Sequence, residues 1–127
     1  MAVVVTKNVF VHEESPGGAH DTLIERSVGR GVKEVIRGFT LRAEGFTLVK
    51  LLTSDDGGTH WDDKCSALLP SEGTLDLTFP APLEIVGQSN PNPGDGETIL
   101  TRWKVDYWQP VGKLLAVTVY LTRLTYA

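Results

Sequence analysis

The chain has 127 residues, 41% of them apolar and 22% charged, with a formal net charge of −4. That length supports one domain with one core, and the interspersed acids and bases exclude the concentrated basic face that phosphate binding needs. A single cysteine, Cys65, excludes an internal disulfide and a CxxC metal or redox pair.

The lone thiol makes a cytosolic site of synthesis the expectation, and the opening stretch MAVVVTKNVF lacks the basic start and long apolar run of a secretory signal. No run approaches the ~18 apolar residues of a membrane-spanning helix, and no membrane partner is expected. Residues 2 to 13 read as a strand within an N-terminal arm, residues 1–20, ahead of a domain over residues 21–127. Val3, Val5, Val9 and Val11 are its candidate contact residues. Its backbone groups have two possible partners: an edge of its own domain, or an edge of a neighbouring subunit.

SPGGAHD is a turn. DTLIERSVGRGVKEVI is the best helical candidate, but Gly29 and Gly31 weaken it. The basic stretch RSVGRGVKEVIRGFTLR, interrupted by Glu34, reads as a solvated strand face. VIRGFTLRAE and GFTLVKLL alternate as strands, and DDGG reads as a hairpin turn rather than a calcium loop. HWDDKC holds His60, Asp62, Asp63 and Cys65. On a strand the first two share one face and the last two share the other, with no second cluster to complete a tetrahedral metal site. A polar loop leading into a strand accounts for it, and no metal or cofactor is expected.

TLDLTF alternates cleanly, with Leu75, Leu77 and Phe79 on one face. Pro80 and Pro82 then flank Ala81, and a central ladder cannot continue through them. Residues before proline are held extended, which predicts a strand crossing from one sheet to the other at a sandwich corner. GQSNPNPGDGE is a loop. In ETILTRWKVDYWQ, Ile99, Thr101, Trp103, Val105 and Tyr107 share one face, which places Trp103 in the core and Trp108 on the opposite face. Thirteen extended residues span about 43 Å at ~3.3 Å each, more than the roughly 36 Å diameter of a compact domain of this size. The strand therefore bends, or its hairpin projects. QPVG suits a type I turn and predicts that hairpin with LLAVTVYLTRLTYA, whose two partly apolar faces suit a central or covered strand. Tyr120 and Tyr126 on it, with Trp61 and Trp108, complete the candidate contact residues.

No G-x-S-x-G surrounds a serine, and His20 beside Asp21 is a sequence neighbour, not a triad. GRG and GDG lack the context of a phosphate loop. No catalytic residue emerges, and the chain is not expected to be an enzyme. The whole reads as all-β and antiparallel, with seven or eight strands at the spacing of a sandwich or barrel.

GFTL, DDGGTHW, LLPSEGTLDLTFPAPLEIVG and TRWKVDYW, spread over residues 37 to 109, follow one another in an order that resembles small jelly-roll virion structural proteins of tailed bacteriophages. The resemblance implies a capsid decoration or cement protein on the virion surface. It implies partners in the major capsid protein or another virion protein, and a homo-oligomer, with a trimer favoured. Two rivals stand beside it. One is a carbohydrate-binding module or receptor-binding tail-fibre tip using Trp108, Trp61 and Tyr107 as stacking platforms. The other is a small β-scaffold enzyme using His60, Asp62 and Asp63.

Overall fold

The computed structural model describes residues 4–15, 20–92 and 96–126; Val3 lies outside them. Ten strands follow in chain order: β1 (Val4–Ser15), β2 (His20–Val28), β3 (Val32–Ala43), β4 (Thr47–Ser54), β5 (Asp62–Leu69), β6 (Gly73–Val86), β7 (Ser89–Asn92), β8 (Gly96–Ile99), β9 (Thr101–Trp108) and β10 (Leu115–Tyr126). Eight of them form two four-stranded antiparallel sheets, ordered β1-β10-β3-β6 and β2-β9-β4-β5, and β7 with β8 makes a separate hairpin. Among the sandwich strands only β4 and β5 pair with their neighbour in sequence; the other successive pairs lie in opposite sheets. That is the double Greek-key order of a jelly roll, with one hairpin more than the seven or eight strands expected.

The alternation of apolar residues sets the sheet faces. Thr101, Trp103, Val105 and Tyr107 of β9 point inward and are buried, opposed by Leu115, Val117, Val119 and Leu121 of β10 in the other sheet. Ile36, Phe39, Leu41, Val49, Leu51 and Ile85 complete the centre. Each large side chain buried there contributes roughly 1.5–3 kcal/mol. β10 is central in its sheet, paired with β1 along twelve residues and with β3 on its other side. The N-terminal strand thus finds its edge within its own chain.

The QPVG hairpin and the Pro-Ala-Pro crossing are corrected, and two open alternatives are decided. QPVG does not close a β9–β10 hairpin: β9 lies in one sheet and β10 in the other, so residues 109–114 cross between sheets. The long strand bends rather than projects, breaking at Leu100, whose amide donates to Gln88 O at 2.9 Å and whose carbonyl accepts from Gly57. The helical candidate is two strands, β2 and β3, around Gly31 at φ 85°.

Pro-Ala-Pro does not carry the chain to the second sheet. β6 pairs with β3 before it, Thr78 facing Gly38, and after it, Leu83 facing Ile36, so residues 79–82 bulge opposite the single residue Arg37. β6 is the edge of its sheet, the position where proline's missing donor is tolerated. Gly38 is required at this bulge: a Cβ there would lie 2.1 Å from Leu77 O.

The same irregularity moves Glu34. Inward residues of β3 are odd-numbered after the bulge (Phe39, Leu41, Ala43) and even-numbered before it (Glu34, Ile36). The basic stretch is therefore not wholly a solvated face, since Glu34 is 1% exposed. Its carboxylate accepts from Arg26 Nε at 3.2 Å and Nη2 at 2.6 Å. It also accepts from Arg123 Nε at 3.2 Å and from Trp103 Nε1 at 2.8 Å. Arg26 and Trp103 belong to one sheet, Glu34 and Arg123 to the other, so one buried charge ties the two layers together.

Candidate functional site

With the inner faces filled by packing, chemistry is left to the outer faces, the loops and the open side of the sandwich. On the β2-β9-β4-β5 sheet, His20, Trp108, Leu48 and Leu68 stand opposite one another on successive strands and form one row across all four. Trp108 is 45% and Leu68 50% exposed. Phe46, just before β4, meets Trp108 edge to face with ring centroids 5.9 Å apart. The connection that follows Trp108 adds exposed Val111 and Leu114. Large apolar side chains gathered at one end of a sheet face mark an interaction surface more often than chance.

The rest of that face is a ladder of charge. Lys104 pairs with Asp106 at 3.2 Å and Lys50 with Asp63 at 3.6 Å, while Thr22 donates to Asp106 at 2.6 Å. These exposed pairs contribute ~0–1 kcal/mol each and keep the face polar beyond the apolar row.

The β4–β5 loop is organised by Asp56. Its carboxylate accepts from Ser54 Oγ at 2.8 Å and from the His60 amide at 2.9 Å, and it contacts His60 Nδ1 at 2.5 Å. These hydrogen bonds to the charged form, led by the His60 amide, hold its pKa well below the ordinary carboxylate value of 3.8. Ser54 donates to the aspartate and not to the histidine, so the group orders a loop and activates no nucleophile.

On the open side, Lys64 and Cys65 of β5 and residues 79–83 of β6 line a slot of about 410 Å³. Burial raises the Cys65 thiol pKa, which lowers its reactivity at neutral pH.

The structure separates the HWDDKC cluster. His60 is taken by Asp56 and Asp63 by Lys50. A register shift between Leu51 and Leu52 breaks the expected alternation around Cys65. Among the described residues no three His, Cys, Asp or Glu side chains come together to hold a metal.

The three stacking platforms also part company. Tyr107 is 6% exposed, with its hydroxyl 3.3 Å from Ser15 Oγ, and is a core residue. Trp61 donates to Gly58 O at 2.9 Å and carries Lys104 Nζ 4.4 Å above its ring, which fixes it in the loop. Trp108 alone of the three presents a large free surface.

Of the remaining contact residues, Val9 and Val11 face inward and pack against the core. Val5 is 59% exposed opposite Thr125. Tyr120 meets Phe10 on the outer face of the first sheet, with centroids 5.5 Å apart, and Tyr126 is exposed near the end of β10. Phe46, Leu48, Leu68, Phe10 and Glu34 were not singled out from the sequence. The period of GFTLVKLL carried a signal for Leu48; the cross-strand partners of the others carried none.

No family model matches the chain, and no curated protein matches it. Among solved structures it is similar to a protein of Bacillus endospore appendages, described as a novel family of disulfide-linked pili. Identity is 8%, the match covers 98% of this chain and 90% of that one, and the TM-score is 0.49. It is also similar to a protein of infectious bursal disease virus, strain Gx, at 10% identity and a TM-score of 0.40; all of this chain matches 32% of that one. A third likeness is to the Drosophila NLP core, a structure described in terms of pentamer formation and histone binding. There identity is 12%, coverage 92% of this chain and 96% of that one, and the TM-score 0.38. At TM-scores below 0.5 these likenesses carry no functional argument.

Proposed function

We propose that the chain is a non-enzymatic structural protein of a tailed-phage virion, a capsid decoration or cement protein that assembles as a homo-oligomer, with a trimer favoured, on the head surface. It would be made in the host cytoplasm and bind the major capsid protein or another virion protein. The observation that carries the assembly reading is the transverse row of Trp108, Leu48 and Leu68 with Phe46 beside it. Tryptophan and other aromatic side chains are enriched at interface centres. The polar ladder behind the row supplies the rim that such interfaces have.

Jelly rolls build lectins as well as shells, so the fold alone does not choose between them. The gathering of exposed Phe46, Leu68, Trp108, Val111 and Leu114 at one end of the second sheet supports the assembly reading, since such a surface suits a flat partner. Repetition of the contact over many copies would supply avidity without a deep pocket. Light scattering behind size exclusion, run over a hundredfold dilution, tests the reading. Oligomers that dissociate on dilution support it, and a strict monomer at the highest concentration removes it.

A further inference from the structure

The outer face of the first sheet holds a hollow that the assembly surface does not use. It measures about 350 Å³ and is lined by Arg37, Gly38, Thr40, Asp76, Thr78 and Tyr120, together with the backbone beneath them. Gly38, paired with Tyr120 on one side and Thr78 on the other, lies in the floor of the hollow and contributes no side chain to it.

The polar groups around the hollow are oriented. Thr40 Oγ1 donates to Asp76 Oδ1 at 2.7 Å. Its only proton is then spent, so its 2.9 Å contact with the Tyr120 hydroxyl must be a bond donated by Tyr120. The Tyr120 oxygen and the second Asp76 oxygen are left as acceptors. Arg37 gives Nε to Thr122 Oγ1 at 3.0 Å, and its two terminal amino groups have no acceptor among the described residues. The Tyr120 ring is held by Phe10 across a T-shaped contact at 79°. One wall is therefore aromatic, one side accepts and the other donates, and the carboxylate and guanidinium cancel in charge.

That balance selects the ligand. A simple anion is opposed by Asp76 and a simple cation by Arg37. A neutral ring with adjacent hydroxyls fits both, because each hydroxyl donates and accepts, while its C–H face lies against the aromatic wall. We propose that this hollow binds a neutral pyranose ring, through Asp76 and Arg37 to its hydroxyls and Tyr120 to its apolar face. The site is distinct from the Trp108 row on the opposite sheet.

Saturation-transfer NMR on the full chain tests this with the methyl pyranosides of glucose, galactose, mannose, fucose and N-acetylglucosamine. Transfer to the ring C–H protons of at least one of them is expected. Tyr120→Ala, Asp76→Asn and Arg37→Met should each weaken it by roughly tenfold or more, while Trp108→Ala leaves it unchanged. Backbone amide spectra confirm that each variant is folded. Silence across all five sugars overturns the proposal, and so does transfer that survives in folded Tyr120→Ala and Asp76→Asn. Transfer lost only in Trp108→Ala assigns sugar binding to the other sheet and likewise overturns it. None of these outcomes depends on whether the protein oligomerises.

Discussion

Replacing Glu34 by Gln removes one buried charge and leaves its shape. The carboxylate is 1% exposed and shared by Arg26, Arg123 and Trp103. Removing one partner of a buried ion pair costs about 3–5 kcal/mol, because the other charge stays behind uncompensated. Here the arginine side chains are 23% and 35% exposed and reach water in part, and the amide oxygen still accepts from Trp103. The low end, about 3 kcal/mol, is therefore expected. At an unfolding entropy of ~2.1 cal/mol/K per residue, 127 residues give about 0.27 kcal/mol/K, so Tm falls by roughly 11 °C. Glu34→Leu should cost a further ~1–3 kcal/mol, since the Trp103 N–H then loses its acceptor. Substituting Glu34, Arg26 and Arg123 together by Met should restore the part of the loss due to the uncompensated arginines, about 3 kcal/mol, and leave the part due to the Trp103 N–H. Urea denaturation followed by tryptophan fluorescence reads all three. Glu34→Gln within 1 kcal/mol of wild type, or a triple variant no better than Glu34→Leu, refutes the account of this cluster as a charge clamp between the sheets.

Gly38→Ala places a Cβ 2.1 Å from Leu77 O, against backbone that cannot rotate away. A loss of ~1–3 kcal/mol or more is expected, measured by the same denaturation curves, together with loss of the β3–β6 amide protection in hydrogen exchange. Asp56 has a folded pKa depressed below 3.8 by its hydrogen bonds to His60 and Ser54. Its contribution to loop order is thus complete above that ordinary value and is lost as pH falls below it toward the depressed one. Carbon-detected NMR of the Asp56 carboxyl should give a midpoint well under 3.8; a midpoint at or above 3.8 contradicts the hydrogen-bonded loop.

What the sequence makes legible here is the face of each strand, and what it hides is the partner. Period two in TRWKVDYW puts Trp103, Val105 and Tyr107 in the core, where they are, and the Val- and Thr-rich C-terminal stretch is a central strand, as its two-sided apolarity implies. QPVG has the chemistry of a tight turn, yet β9 pairs with β2 and β4, and β10 with β1 and β3. Those choices are made by packing between residues far apart in the chain, and local turn chemistry does not encode them. Pro-Ala-Pro announces an interruption correctly and its kind wrongly, because an edge strand can bulge around prolines and rejoin its ladder. Glu34 is hidden for a related reason. Extrapolating the inward parity of Phe39, Leu41 and Ala43 back along β3 puts Glu34 outside, and the bulge at Arg37 reverses that parity. The row of Trp108, Leu48 and Leu68 comes from three strands whose register no single segment contains.

That row is where the central claim is most directly exposed to test. Sedimentation velocity on wild type and on a Trp108→Ser, Leu68→Ser double variant, at matched concentrations, measures the mass of each. The account predicts a concentration-dependent oligomer for wild type and a folded monomer for the variant. A wild type that stays monomeric throughout, or a variant with the same oligomeric mass as wild type, contradicts it.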